Sequence, residues 1–226
     1  MRSLYDPCVY YKKLTDGSLI YLLLYVDDML LAGKNLTKLN EIKEQLKNEF
    51  EMKDLGSAKR ILGMEITRQR SRRELFLSQK QYTKKVLAKF NMANANEVST
   101  SMGQQFKLSA KESSKESTER QAMSNVPYSN ATGSLMYLMV CTRPDLAYNS
   151  SLFSRYMGNP GRNHWETTKW VFRYLVGTLN RGLLYAAPNE PKILLKGYVD
   201  ADFAGDCDKR RSLINLFFLN FGRQLN

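Results

Sequence analysis

Two carboxylates stand side by side, Asp27 and Asp28, after an unbroken apolar run from Leu19 to Val26 and before a second one from Met29 to Gly33. Adjacent carboxylates at the end of an apolar strand repel one another and lose hydration, and protonation or a divalent cation relieves them. A hard cation held by aspartates and sharing its shell with substrate phosphates is the usual magnesium arrangement. Two-metal phosphoryl transfer sets its ions about 3.5–4 Å apart and needs several carboxylates to hold them. Asp-Asp alone is also the sequence of a solvated turn, and the flanking apolar runs are what weaken that reading. A further carboxylate, Asp200, stands in the run Gly197 to Asp202, which by itself reads as a surface turn.

The cations form a second group. Between Lys34 and Lys89 there are 15 Lys and Arg against 7 Asp and Glu, which accounts for eight of the twelve net positive charges on the 226-residue chain. Arg68, Arg70, Arg72 and Arg73 cluster in a predicted turn, and Lys80, Lys84, Lys85 and Lys89 follow on a predicted helix. A basic balance of this kind points to a polyanion, most simply nucleic acid. Phosphate contacts would set affinity and salt dependence without reading sequence. A solvated basic face is the alternative.

Other chemistries are excluded by what is missing. Cys8, Cys141 and Cys207 are far apart, and an odd number without a secretory signal reads as reduced thiols in an intracellular chain, cytoplasmic or nuclear. His164 is the only histidine, so zinc sites and histidine-based triads have almost nothing to work with. The usual phosphate loops are absent. No apolar run approaches the roughly 20 residues a membrane helix needs. With 43% hydrophobic and 25% charged residues, the chain can build a globular core.

The elements that must position these residues follow from periodicity. Val9 to Tyr11, Leu19 to Val26 and Met29 to Gly33 read as strands, joined by an Asp16-Gly17 turn and a second hairpin with the aspartates at its tip. The middle strand is apolar enough to be covered on both faces. Leu36, Leu39, Ile42, Leu46 and Phe50 recur at helical spacing. Ile61 to Ile66 reads as a strand, with Leu75 to Leu77 as its partner. Ser78-x-x-Gln81 predicts a capping box for the next helix, and Asn163-x-x-Glu166 another. Trp165, Lys169, Phe172 and Val176 share a face of that later helix. Trp165 and Trp170 read as packing residues.

Tyr25-Val26-Asp27-Asp28 within LLLYVDDMLLAG resembles the catalytic Y-x-D-D hairpin of reverse transcriptases. FEMKDLGSAKRILGMEI, LSQKQYTKKVL, VPYSNATGSLMYLMVCTRPDLAY, NPGRNHWETTKWVFRYLVGT and GYVDADFAGD resemble, in order, the copia-type retrotransposon polyprotein. The resemblance implies an α+β chain: part of a polymerase palm and the start of the thumb over 1–108, a flexible polar linker over 109–121, helical thumb and connection over 122–190, and the opening strands of a ribonuclease H-like domain over 191–226. It implies that Asp27 is the principal magnesium-binding aspartate and Asp28 its neighbour, and that Leu62 and Gly63 belong to the segment gripping the primer. Asp200 would be the first ribonuclease H carboxylate, also a magnesium ligand. An RNA/DNA primer-template and deoxynucleotides are the implied partners.

The family places a further metal-binding aspartate and the fingers upstream, and a Gly-Tyr pair where Leu213-Ile214-Asn215-Leu216 stands here. The expectation is therefore a fragment that is inactive alone and needs a chain supplying the remaining palm and fingers. A binding module without chemistry and a decayed product are the competing expectations.

Overall fold

The computed structural model describes residues 1–103, 105–186, 194–201, 205–212 and 214–221. They fall into two compact units, one built on Met1–Ile61 and the other on Leu62–Ala186 with the described residues of Leu194–Asn220. The boundary lies between Ile61 and Leu62, whereas the sequence suggested a division at 108.

The first unit is a three-stranded antiparallel sheet in the order β1 (Val9–Lys13), β2 (Leu19–Tyr25), β3 (Asp28–Gly33). Asp16 Oδ1 accepts the Ser18 N–H at 2.9 Å and Gly17 takes φ +79°, closing the expected turn. Helix α1 (Leu36–Glu49) is capped by Asn35, whose side chain accepts the Lys38 N–H at 3.1 Å. Its Leu39 lies against Ile20 and Gly33, so α1 covers the face carrying Ile20, Leu22 and Leu24. Ile20 alone among the β2 residues is buried; the others are half-buried or exposed. The two-sided cover expected for β2 is not present among the described residues: its apolar continuity exceeds what one helix can cover.

The first unit ends with the short strand β4 (Arg60–Ile61). In the second, β6 (Glu74–Ser78) pairs antiparallel with β5 (Met64–Gln69) on one side and β7 (Gly182–Ala186) on the other. The single strand expected over 61–66 is broken, because Leu62 and Gly63 both take left-handed φ, +51° and +66°. Helices α2 (Lys80–Lys89), α3 (Ser117–Ser124), α4 (Tyr128–Cys141), α5 (Ala147–Ser154) and α6 (Arg162–Gly177) follow. Val86, Leu87, Leu135, Leu138, Phe153 and Phe172 lie in one core cluster, with the Phe90 and Phe172 rings stacked at 5.0 Å. On α6 the buried residues are His164, Thr167, Thr168, Val171, Phe172, Tyr174 and Leu175, so the inward face is rotated from the expected one. The helix opens at Gly161 rather than Asn163, where the Gly161 N–H donates to His164 Nδ1 at 2.8 Å.

Residues 109–121 are no flexible linker. They form a 3-10 turn, Ala110–Glu112, and the start of α3. Ser114 is buried and its hydroxyl donates to the Pro160 carbonyl at 2.8 Å; Arg120 Nε and Asn159 Nδ2 both donate to the Ser114 carbonyl. Polar composition hides this, because the segment is held by hydrogen bonds of its backbone and the Ser114 hydroxyl and not by apolar burial. Finally β8 (Leu194–Ala201) and β9 (Ile214–Phe221) form a two-stranded sheet. Among the described residues no helix is long and apolar enough to cross a membrane.

Candidate functional site

The β2–β3 hairpin closes in two residues. Leu24 pairs with Met29 and Tyr25 with Asp28, leaving Val26 and Asp27 as the turn. Asp28 is therefore the first residue of β3, and only Asp27 sits in the turn itself. Val26 has φ +49°, a conformation that costs a β-branched residue of order 1–3 kcal/mol. It is 87% exposed, so packing does not explain its presence. Asp27 and Asp28 are both exposed. Exposed carboxylates are the ligand type that a hard divalent cation keeping several of its waters takes. Among the described residues no group of three His, Cys, Asp or Glu side chains is placed to hold a metal ion.

In the second unit the Leu62-Gly63 turn is held from a distant helix. The Tyr137 hydroxyl of α4 donates to the Leu62 carbonyl at 2.5 Å, and the Tyr137 ring meets Tyr82 of α2 edge-on with centroids 5.1 Å apart. Helix α2 itself is not capped as expected. Gln79 occupies the N-cap without a side-chain bond, and the Gln81 N–H donates to Glu65 Oε1 of β5 at 2.9 Å. Ser78 is instead paired with Glu65 in the sheet register. Nothing in the local sequence marks Glu65 or Tyr137, which are 16 and 75 residues along the chain from the groups they fix.

The basic residues are placed by the same hairpin. Arg68 is in β5, Arg70 and Arg72 form a 3-10 turn at the tip, and Arg73 takes φ +54° before β6 resumes. All four are exposed, as are Lys84 and Lys85, while Lys80 is half-buried. Among the described residues Arg68, Arg70, Arg72, Lys84 and Lys85 are in no ion pair. Val86 and Leu87 bury the opposite side of α2, which leaves its lysines on a water-facing surface.

Asp200 is a residue of β8 whose side chain lies outside the description, and Asp202 lies outside the described residues. Two later acids have structural partners. Asp206 accepts the N–H groups of Asp208 and Lys209 and pairs with Arg155 at 3.3 Å. Asp208 accepts the Ala110 N–H at 2.9 Å and the Tyr156 hydroxyl at 3.1 Å. His164 is fully buried, its Nε2 3.2 Å from the Ser109 carbonyl. Because Nδ1 accepts from Gly161, Nε2 carries the proton, and burial pushes the imidazole below the usual histidine range. The Trp170 indole donates to the Thr100 carbonyl at 3.0 Å, and Trp165 packs against the core beside Phe90.

A family model described as reverse transcriptase (RNA-dependent DNA polymerase) matches residues 3–104, which span both the aspartate hairpin and the basic tip. Over 218 residues, 96% of this chain, the sequence is 48% identical to the retrovirus-related Pol polyprotein from transposon TNT 1-94 of Nicotiana tabacum. Residues 3–104 belong to the reverse transcriptase family, and nearly the whole chain is similar to a transposon Pol polyprotein. It is also 38% identical over 193 residues, 84% of its length, to the Pol polyprotein from transposon RE2 of Arabidopsis thaliana. An uncharacterized mitochondrial protein of the same plant, AtMg00810, is 35% identical over 85% of this chain and 75% of its own length. The chain spans 16% of the TNT 1-94 polyprotein and 12% of the RE2 polyprotein. No solved structure matches it. The mixed helix-and-sheet architecture is consistent with a reverse transcriptase fragment.

Proposed function

We propose that this chain is the primer-template-gripping part of a retrotransposon RNA-directed DNA polymerase. The observation that carries the reading is that one reverse-transcriptase-like stretch of sequence contains both an exposed two-aspartate hairpin and an exposed basic tip. In this reading Arg68, Arg70, Arg72, Arg73, Lys80, Lys84 and Lys85 contact the phosphate backbone of an RNA/DNA primer-template, and Leu62-Gly63 lies against the primer. Asp27 and Asp28 hold magnesium where the phosphates of an incoming deoxynucleotide meet the primer 3′-hydroxyl. When bound, the ion supplies charge neutralisation, and positioning does the rest. Asp200 belongs to a ribonuclease H-like segment formed by β8 and β9. Two carboxylates account for one shared ion, so the chain alone grips without extending, and extension needs a chain supplying the remaining palm and fingers.

The test is fluorescence anisotropy of the chain on an RNA–DNA primer-template at low and high salt. Saturable binding is expected that weakens steeply with salt, survives Asp27→Asn and falls when Arg70, Arg72 and Arg73 are changed to Gln. Each phosphate contact removed lowers the slope of log affinity against log salt by about 0.7–0.9. Binding indifferent to salt and to the triple change would overturn the grip. Magnesium-dependent primer extension by the chain alone would overturn its inactivity.

A further inference from the structure

We infer that Tyr137 is the positioning residue that sets the Leu62-Gly63 turn for contact with the primer terminus; this rests on the primer-template reading above. The turn is unusual in its own chemistry. Two consecutive residues take left-handed φ, and one of them, Leu62 at +51°, has a side chain that disfavours that region. A two-residue turn with both φ values positive calls for Asn-Gly or Gly-Gly, and leucine at its first position leaves the turn short of intrinsic preference. The missing preference is replaced from outside, by the hydroxyl of Tyr137, 75 residues later in the chain, which donates to the Leu62 carbonyl at 2.5 Å.

The same ring joins the turn to the basic helix. Tyr137 packs edge-on against Tyr82, and Tyr82 lies between Lys80 and Lys84 on α2. Glu65, two residues after Gly63, closes the loop by accepting the Gln81 N–H at the start of α2. The turn, β5, α2 and α4 are thus tied at three points, and the spacing between Gly63 and the α2 lysines is fixed by side chains and not by the backbone alone. Gly63 is exposed, and a Cβ placed on it would come 3.5 Å from the Tyr137 oxygen, so a strand reaching the turn meets both residues together. The lysines hold phosphates anywhere along a duplex; the turn is what can recognise where the primer ends.

Tyr137→Phe removes the donor and keeps the ring on Tyr82. The chain and this variant are compared on an RNA–DNA primer-template with a recessed 3′ end and on a blunt RNA–DNA duplex of equal length, with amide exchange at Gly63 and Met64 followed in parallel. The variant should lose about fivefold in affinity for the recessed terminus, the equivalent of one neutral hydrogen bond. It should bind the blunt duplex as before, keep its thermal midpoint and exchange faster at the turn. Lys84→Gln with Lys85→Gln should weaken both substrates alike. Equal losses on the two duplexes, or unchanged affinity and exchange, overturn the inference and leave the phosphate grip standing. Failure of the unaltered chain to bind either duplex overturns the primer-template reading, and this inference with it.

Discussion

Glu65 Oε1 accepts the backbone N–H of Gln81 at 2.9 Å, so a strand residue caps the helix that carries the α2 lysines. The bond satisfies one of the orphan donors of the first turn and sets a negative charge at the positive end of the helix dipole. Replacing Glu65 by Ala should cost about 1 kcal/mol by urea denaturation, the usual worth of a cap. Glu65→Gln, which keeps an acceptor, should cost about half of that or less. Equal losses for the two would mean that the charge, and not the hydrogen bond, holds the helix start.

A second prediction concerns pH. His164 is the one histidine, buried and neutral, facing Glu112 and Asp208 as its nearest charges, and desolvation lowers its affinity for a proton in the fold. The unfolded chain therefore binds the proton first as pH falls. The stability that His164 contributes is complete above about pH 6.5 and is lost below it, as pH approaches the lower folded value. Urea midpoints measured from pH 7.5 to 5 should fall with acid in the unaltered chain. His164→Gln should lower the midpoint at pH 7.5 and flatten its pH dependence. A flat profile in the unaltered chain would refute the neutral imidazole.

Arg143 supplies a third. It is buried, its guanidinium forking onto Asp145 at 2.8 and 2.9 Å and onto the Thr178 carbonyl and hydroxyl, while the Tyr174 hydroxyl donates to Asp145 at 2.8 Å. Removing Asp145 strands a buried cation, so Asp145→Ala should destabilise by about 3 kcal/mol or more in urea, against roughly 0.5 kcal/mol for an ordinary surface change. Desolvation raises the Asp145 carboxyl, but the Arg143 bonds and charge and the Tyr174 hydroxyl outweigh it and leave it below the usual carboxylate value. Its contribution should accordingly persist to about pH 4 and disappear only as acid titrates the folded carboxyl.

Val26 gives a fourth. Its φ of +49° stores strain immediately before Asp27. Val26→Gly should relieve that strain and stabilise the β2–β3 hairpin by about 1 kcal/mol, read as slower amide exchange of Leu24 and Met29. Faster exchange in the variant would show that the valine side chain holds the hairpin.

The local elements were legible where the signal is local. The Asp16-Gly17 turn, the aspartate hairpin and the α1 periodicity each follow from a few neighbouring residues, and the structure has all three. The run Ile61 to Ile66 reads as unbroken strand because leucine gives no warning of a left-handed φ at residue 62. The polar run 109–121 reads as a linker because its distant partners, the donor on Asn159 and the acceptors at Pro160 and Asp208, are 45 to 98 residues away.

The sequence by itself determined the family resemblance, the hairpin that carries Asp27 and Asp28 and the position of the basic cluster, since each rests on the order of residues along one stretch of chain. Tertiary structure alone decided which distant groups hold the turns and helix starts in place. Glu65 caps a helix it does not belong to, Tyr137 completes a turn 75 residues upstream, and His164 closes its own helix while bonding Ser109. These are hydrogen bonds between distant partners, whose strength depends on a distance and an angle that no spacing in the sequence encodes.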